Sequence, residues 1–421
     1  MNSVDSSIKL ASIQIPSEFN MDLWQDGPLN RWTFQHVSDF LTTQEICAKE
    51  TDSNTNLTIN VSDKSVNLLE NIDVNIDGNI FKFTKILEET YTDSILVLYK
   101  GIIVYERYFN GMKIDSKHLL QSISKSILGV LYARMIDKGV IDPEQRIGHY
   151  LHELESSVFG NATIAQALDM KVALNFSEDY SSPYSEMTML DRACGWKNNH
   201  TGIYPTLRSF LTSLSTRISD ITHMPIEHGT EFQYCSATTD VLAWLISHVT
   251  GMPYSKLLEK ELWIPMGAQQ NADITVDTEG LAVGNGGISC TTRDMALFGQ
   301  LILNGGKAFN GTQVIPLSWI EQTYNGIHYK NQWWVNPSST QADNGALEEL
   351  YAMNAEERSS EEFQPGSNQI HARGIYGQYL WIDHESSTVI AKFSSNPVAR
   401  NTSKFNMHMA LFRSICCWTQ I

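Results

Sequence analysis

Gln121-Ser122-Ile123-Ser124-Lys125-Ser126-Ile127-Leu128-Gly129-Val130-Leu131 is the stretch on which the reading of this 421-residue chain turns. Ile123, Ile127, Val130, Leu131 and Ile136 recur at helical spacing, and Gly139 is placed to close the element, so the pattern predicts a helix from Gln121 to Lys138. A serine three residues before a lysine on such a helix shares a face with it. The amine can act on the hydroxyl only if it is near and partly desolvated. At the helix N-terminus the macrodipole also favours negative charge developing near Ser122. A bare Ser-x-x-Lys arises by chance about once in a chain this long. The context adds weight, because the motif opens a helix just after a hairpin and sits inside Ser-x-Ser-Lys-Ser.

That hairpin is read from Ser94 to Tyr99 and Ile102 to Tyr108, two β-rich runs flanking Lys100-Gly101. Beyond the Ser122 helix, residues 140–262 read as helices joined by long loops, with a clear helix from Asp240 to Thr250 ending at Gly251. Strands return at Tyr379 to Ile382 and Thr388 to Phe393, and Phe405 to Trp418 reads as a closing helix. Tight turns between strand pairs imply an antiparallel sheet. The expected class is therefore α+β: an antiparallel sheet built from both chain ends and flanked by helices, plus an all-helical domain. The boundaries drawn are a loose arm at 1–22 pinned by Trp32 and Phe34, a sheet domain at 23–139 and 263–421, and a helical domain at 140–262. Thr51 to Ser65 is polar and turn-rich. Residues 338–370 carry seven acids and a single base, Arg358, and read as a solvated insertion with a short helix at Ala346 to Arg358, either a lid or a surface loop.

Composition narrows the function. The formal net charge is −17, from 47 acids against 30 lysines and arginines. Such a chain repels phosphate backbones and anionic lipid, so nucleic-acid and membrane partners are not expected. No stretch of about eighteen apolar residues occurs and the N-terminus lacks a basic-then-apolar leader, which points to the cytoplasm. The six cysteines show no Cys/His ligand spacing, so no metal is expected, and free thiols are the simpler reading. No cofactor is implied. Monomer and homodimer stay open.

Two further elements bear chemistry. Tyr234-Cys235-Ser236 follows a turn and precedes a helix; a phenol serves as a base only where a cation stabilises the phenolate, and Lys125 could supply it. Tyr234 would then take the Ser122 proton and return it to a leaving group; otherwise it is an ordinary buried tyrosine. Gly374-Ile375-Tyr376-Gly377-Gln378 leads into a strand, with Gly374 permitting close backbone approach. The amides of Ser122 and Ile375 could form an oxyanion hole; the plain alternative is a glycine-rich strand start.

In this order and spacing the three elements resemble the serine β-lactamase and penicillin-recognising superfamily, whose pattern reads here as Ser122-x-x-Lys125, Tyr234-x-Ser236 and Ala372-Arg373-Gly374. The tyrosine version is similar to the class C branch. Within it the chain resembles 6-aminohexanoate-dimer (nylon-oligomer) hydrolases and related carboxylesterases, through Asn30 to His36, Asp191-Arg192-Ala193-Cys194-Gly195-Trp196, Thr239 to Trp244, Gly286 to Ser289 and Gln332-Trp333-Trp334. The resemblance implies a β-lactamase/transpeptidase-like fold with its site in the cleft between the two domains. It implies hydrolysis of a small amide or ester through an acyl-enzyme on Ser122, with Lys125 and Tyr234 handling protons and the Ser122 and Ile375 amides holding the oxyanion. An acyltransferase, or a sensor that acylates once and stalls, would use the same residues. Tyr180 and Asp191 would line the substrate cleft, with Trp334, Gly374 and Tyr376 completing it; Asp191 would bind an ammonium or merely cap a helix. Ala372 stands where β-lactamases carry lysine, with Arg373 beside it, and Tyr376 stands where relatives often have histidine.

Overall fold

The computed structural model describes residues 15–48, 57–76, 78–336, 368–400 and 402–420. Most of the arm and nearly all of the acidic segment, including the helix expected at 346–358, lie outside the described residues.

The principal sheet has eight strands: β1 (Thr58–Ile59), β2 (Thr92–Tyr99), β3 (Ile102–Tyr108), β4 (Tyr329–Lys330), β5 (Trp333–Asn336), β6 (Gln369–Gly374), β7 (Gln378–Asp383) and β8 (Thr388–Ser394). Their order is β4-β5-β6-β7-β8-β2-β3-β1. The β2–β3 hairpin turns through Lys100 and Gly101 at φ 50° and 79°. Pairing of β8 with β2, Lys392 opposite Ile95, joins the two chain ends into one antiparallel sheet. Only β1 runs parallel to its neighbour.

The period-two alternation of the strands decides where the cores lie. Leu96, Leu98, Leu380, Ile382 and Val389 face the larger core, which holds α1 (Ile123–Asp137), α2 (Glu186–Ala193), α3 (Ser236–Thr250) and α4 (Thr292–Leu303). Ile95, Val97, Trp381 and Ile390 face a smaller core closed by α5 (Thr402–Thr419) through Leu411, Phe412 and Ile415. The turn-rich reading of 51–65 misses part of this second core. β1 and a helix at Asp63–Glu70 start there, followed by a hairpin of Asp73–Ile76 with Asn79–Lys82. Elements this short depend on packing against α5 and β3, which local pattern does not reveal.

From Ile147 to Trp263 the named elements are helical. Gly139 at φ 66° and Gly251 at φ 63° end α1 and α3. α3 begins at Ser236, four residues before the expected Asp240, because the Glu178 carboxylate accepts from the Ser236 amide and caps the first turn from a distance. A second sheet pairs His118–Leu119 with Ile288–Cys290 and delivers the chain to Ser122. No helix among the described residues is long and apolar enough to cross a membrane.

α1 is locked to the sheet edge by the Ser126 hydroxyl, 2.6 Å from the Gln332 carbonyl, while the Gln332 side chain reaches the Leu168 carbonyl and Thr239. Gly129 faces the same edge, and a Cβ there would lie 2.3 Å from the Asn331 carbonyl oxygen. Backbone cannot yield as a side chain can, so Gly129→Ala is expected to cost about 1–3 kcal/mol of stability, read as a lower urea midpoint with an unchanged slope.

Candidate active site

Ser122 sits at the N-cap of α1, behind Gln121, which is held at φ 50°. One turn on, the Lys125 amine is almost completely buried and donates to Ser122 Oγ at 2.8 Å, Ser236 Oγ at 3.1 Å and the Asn285 carbonyl at 2.8 Å. Asp240 of α3 fixes Asn285, accepting from its backbone amide at 2.9 Å and its side chain at 2.7 Å. Burial pushes the Asp240 carboxyl up to about 7, opposed by the Asn285 hydrogen bonds and the Lys125 charge.

Tyr234 is brought to the same amine by its ring, whose centroid lies 5.2 Å from Lys125 Nζ, and it stacks on Trp334 at 5.4 Å. The hydrogen bond from Lys125 to this motif goes to Ser236. Trp334 therefore stands one layer behind Tyr234, with the Arg373 guanidinium 3.8 Å over its ring and 5.2 Å from that of Phe405. Arg373 is thus seated on aromatic faces next to Ala372.

Gly374 lets β6 end against the nucleophile. A Cβ there would lie 2.6 Å from the Leu120 carbonyl oxygen and 3.0 Å from the Ser122 amide nitrogen. Ser122, Tyr180, Asp191, Ile375 and Tyr376 line one cleft. The Tyr180 hydroxyl donates to Glu178 at 2.6 Å, and the other oxygen of that carboxylate is the one that caps α3.

Asp191 lies inside α2, whose N-cap is Ser185, so it faces the cleft and does not cap the helix. Burial raises its carboxyl to about 7, while Lys197 and a 3.3 Å hydrogen bond from Gln25 oppose the rise and Glu178 and Asp26 add to it. Sequence reasoning missed Gln25 and Asp26, which line the cleft. It also passed over Ser236, Asn285 and Asp240, although Ser236 lay within a quoted motif. Gln25 accepts from Gln121 at 3.1 Å, and the Tyr376 hydroxyl donates to Asp26 at 3.3 Å. Among the described residues no three His, Cys, Asp or Glu side chains gather as a metal site.

A hydroxyl on a buried amine, a second hydroxyl from a distant helix and a glycine strand end thus meet at one cleft. The chain belongs to the β-lactamase family, whose description matches residues 83–405. It is a hydrolase. It is 34% identical, over 90% of its length and 89% of the relative's, to the 6-aminohexanoate-dimer hydrolase of Paenarthrobacter ureafaciens. A solved Bacillus anthracis structure, assigned as a 6-aminohexanoate-dimer hydrolase, superposes with a TM-score of 0.79 at 25% identity, covering 95% of this chain and 96% of that one. A family VIII carboxylesterase shares the fold, with a TM-score of 0.54 at 14% identity over 89% of this chain and all of that one.

A carboxyl whose folded-state value is raised binds protons more readily in the folded chain, so it costs stability as pH rises from about 4 to about 7 and no further above that. Asp191→Asn removes this cost. It is expected to stabilise the protein by ~1–3 kcal/mol at pH 8 and by little at pH 4, measured as denaturant unfolding at the two pH values.

Proposed function

We propose that this hydrolase cleaves a small amide or ester through an acyl-enzyme on Ser122, with short amides of ω-amino acids, such as the 6-aminohexanoate dimer, as its substrate class. The 2.8 Å contact between Ser122 Oγ and the buried Lys125 amine carries the reading. Ser122 Oγ attacks the carbonyl, and its proton passes to the Lys125–Tyr234 pair and on to the departing amine or alcohol. The oxyanion is held by the Ser122 and Ile375 amides, a contribution of about 2.7–4 kcal/mol per donor. Water then enters and the steps run in reverse. Asp191 takes the ammonium of the substrate, and its likeness in position to the cleft aspartate of the nylon-oligomer branch supports this. Ala372 leaves no lysine for a β-lactam carboxylate, so penicillins are poor substrates. On its composition the enzyme works in the cytoplasm on small molecules, as a monomer or homodimer.

A fluorophosphonate is expected to label Ser122, mapped by peptide mass spectrometry. Ser122→Ala should lose labelling and turnover together. Lys125→Ala and Tyr234→Phe should each lower kcat/KM by at least about 100-fold. Full turnover in Ser122→Ala would overturn the assignment.

The raised Asp191 carboxyl sets a pH dependence. Gln25, Asp26, Glu178, Lys197, Cys194 and Tyr376 are the groups around it. Its ionised fraction rises about tenfold between pH 6 and pH 8. KM for an ammonium-bearing amide should fall by up to that factor over the range, while KM for a neutral p-nitrophenyl ester stays flat.

A further inference from the structure

Asp26 lies on the same cleft as Ser122 and Asp191, and it arrives from the N-terminal segment. Its Oδ1 accepts from the Tyr376 hydroxyl at 3.3 Å, and among the described residues its second oxygen has no hydrogen-bond partner and neither oxygen has an ion pair. Asp191 has a carboxamide partner, Gln25, and among the described residues no ion pair. Lys197 also lines the cleft, but its amine donates to the Asp22 carbonyl at 2.8 Å and makes no ion pair with Asp191, and Lys125 is spent on three oxygens. Carboxylates elsewhere in the fold, such as Glu106 with Arg293 and Glu261 with Lys138, hold their cations close. Two carboxylates left without an ion pair beside Ser122 are an unfilled demand for positive charge.

We infer that Asp26 is a specificity residue: with Asp191 it forms a two-carboxylate seat for a primary ammonium on the substrate, and the Tyr376 hydroxyl aims it. The inference rests on the acyl-enzyme reading above and extends it from one carboxylate to two. An ammonium donates three hydrogen bonds, more than one aspartate satisfies alone, and Asp26 and Asp191 line the same cleft to share them. Two negative charges also repel a substrate carboxylate from this end of the cleft, which fixes the direction in which an amino-acid amide lies. The Tyr376 hydroxyl donates a neutral hydrogen bond to one Asp26 oxygen and leaves the other for the substrate.

The test uses n-hexylammonium to protect Ser122 from a fluorophosphonate, with hexanol and hexanoate as neutral and anionic controls, at pH 8. Hexylammonium is expected to slow labelling of the natural enzyme and the controls are not. In Asp26→Asn the concentration of hexylammonium that halves the variant's own labelling rate should rise about tenfold, with Asp26→Glu restoring most of the protection. Thermal melts of each variant exclude unfolding as the cause. Protection by hexanol equal to that by hexylammonium, or protection unchanged in Asp26→Asn, would overturn the inference. Failure of the fluorophosphonate to label Ser122 in the natural enzyme would instead overturn the acyl-enzyme reading, so the two failures are told apart.

Discussion

An amine with three donors and nowhere to meet water must find three acceptors, and Lys125 finds them in three separate parts of the chain. Burying such a group alone costs several kcal/mol, and each unmet donor about 1–3 kcal/mol. The requirement is satisfied only when α1, α3 and the 284–287 loop dock together. Asp240 makes that docking specific. It grips Asn285 at both backbone and side chain and places a carboxylate behind the amine without contacting it. Ser122 is thus positioned by the same contacts that hold α3 and the 284–287 loop to α1.

A second buried network supports the other side of Ser122. Asp93 in β2 is fully buried, with His118 Nε2 at 3.2 Å and Arg31 at 3.3 Å. His118 lies four residues before the nucleophile, on the strand that leads to it. Lys392 in β8 is buried near Asp93; burial drives its amine well below the usual range while the aspartate opposes the shift. The N-terminal segment, β2, β8 and the approach to Ser122 are therefore coupled through the polar groups gathered around the buried Asp93.

What the sequence made legible was local. The β2–β3 hairpin, the α1 helix with its Ser-x-x-Lys face and the glycines at 139 and 251 follow from spacing and turn chemistry, and the structure has them where the pattern puts them. The short elements around 58–82 escaped because packing against α5 stabilises them. The early start of α3 escaped because its cap, Glu178, is 58 residues away. At the site, motif reading brought Tyr234 to Lys125, and the structure adds that Ser236 is the hydroxyl that bonds it. Asn285 contributes a backbone carbonyl, a group no residue pattern can announce. Gln25 and Asp26 lie just past the stretch read as a loose arm, and only their tertiary partners give them meaning.

Those two residues also bear on a cost built into the site. Gln121 and Tyr376 adjoin Ser122 and Ile375 and both adopt the left-handed backbone region, at φ 50° and 65°. A non-glycine residue there costs on the order of 1 kcal/mol or more, and persists only where its surroundings over-determine it. Here the side chain of each strained residue is tied to one of a pair of neighbours, Gln121 to Gln25 and Tyr376 to Asp26. That pair is itself anchored: the Trp24 indole donates to the Trp196 carbonyl at 2.6 Å, and the Gly27 amide to Pro397 at 2.9 Å. The N-terminal segment therefore acts as a clamp across the cleft. It closes one wall of the cleft and, through adjacent side chains, holds the two backbone turns next to Ser122 and Ile375, whose amides the proposed mechanism uses to hold the oxyanion.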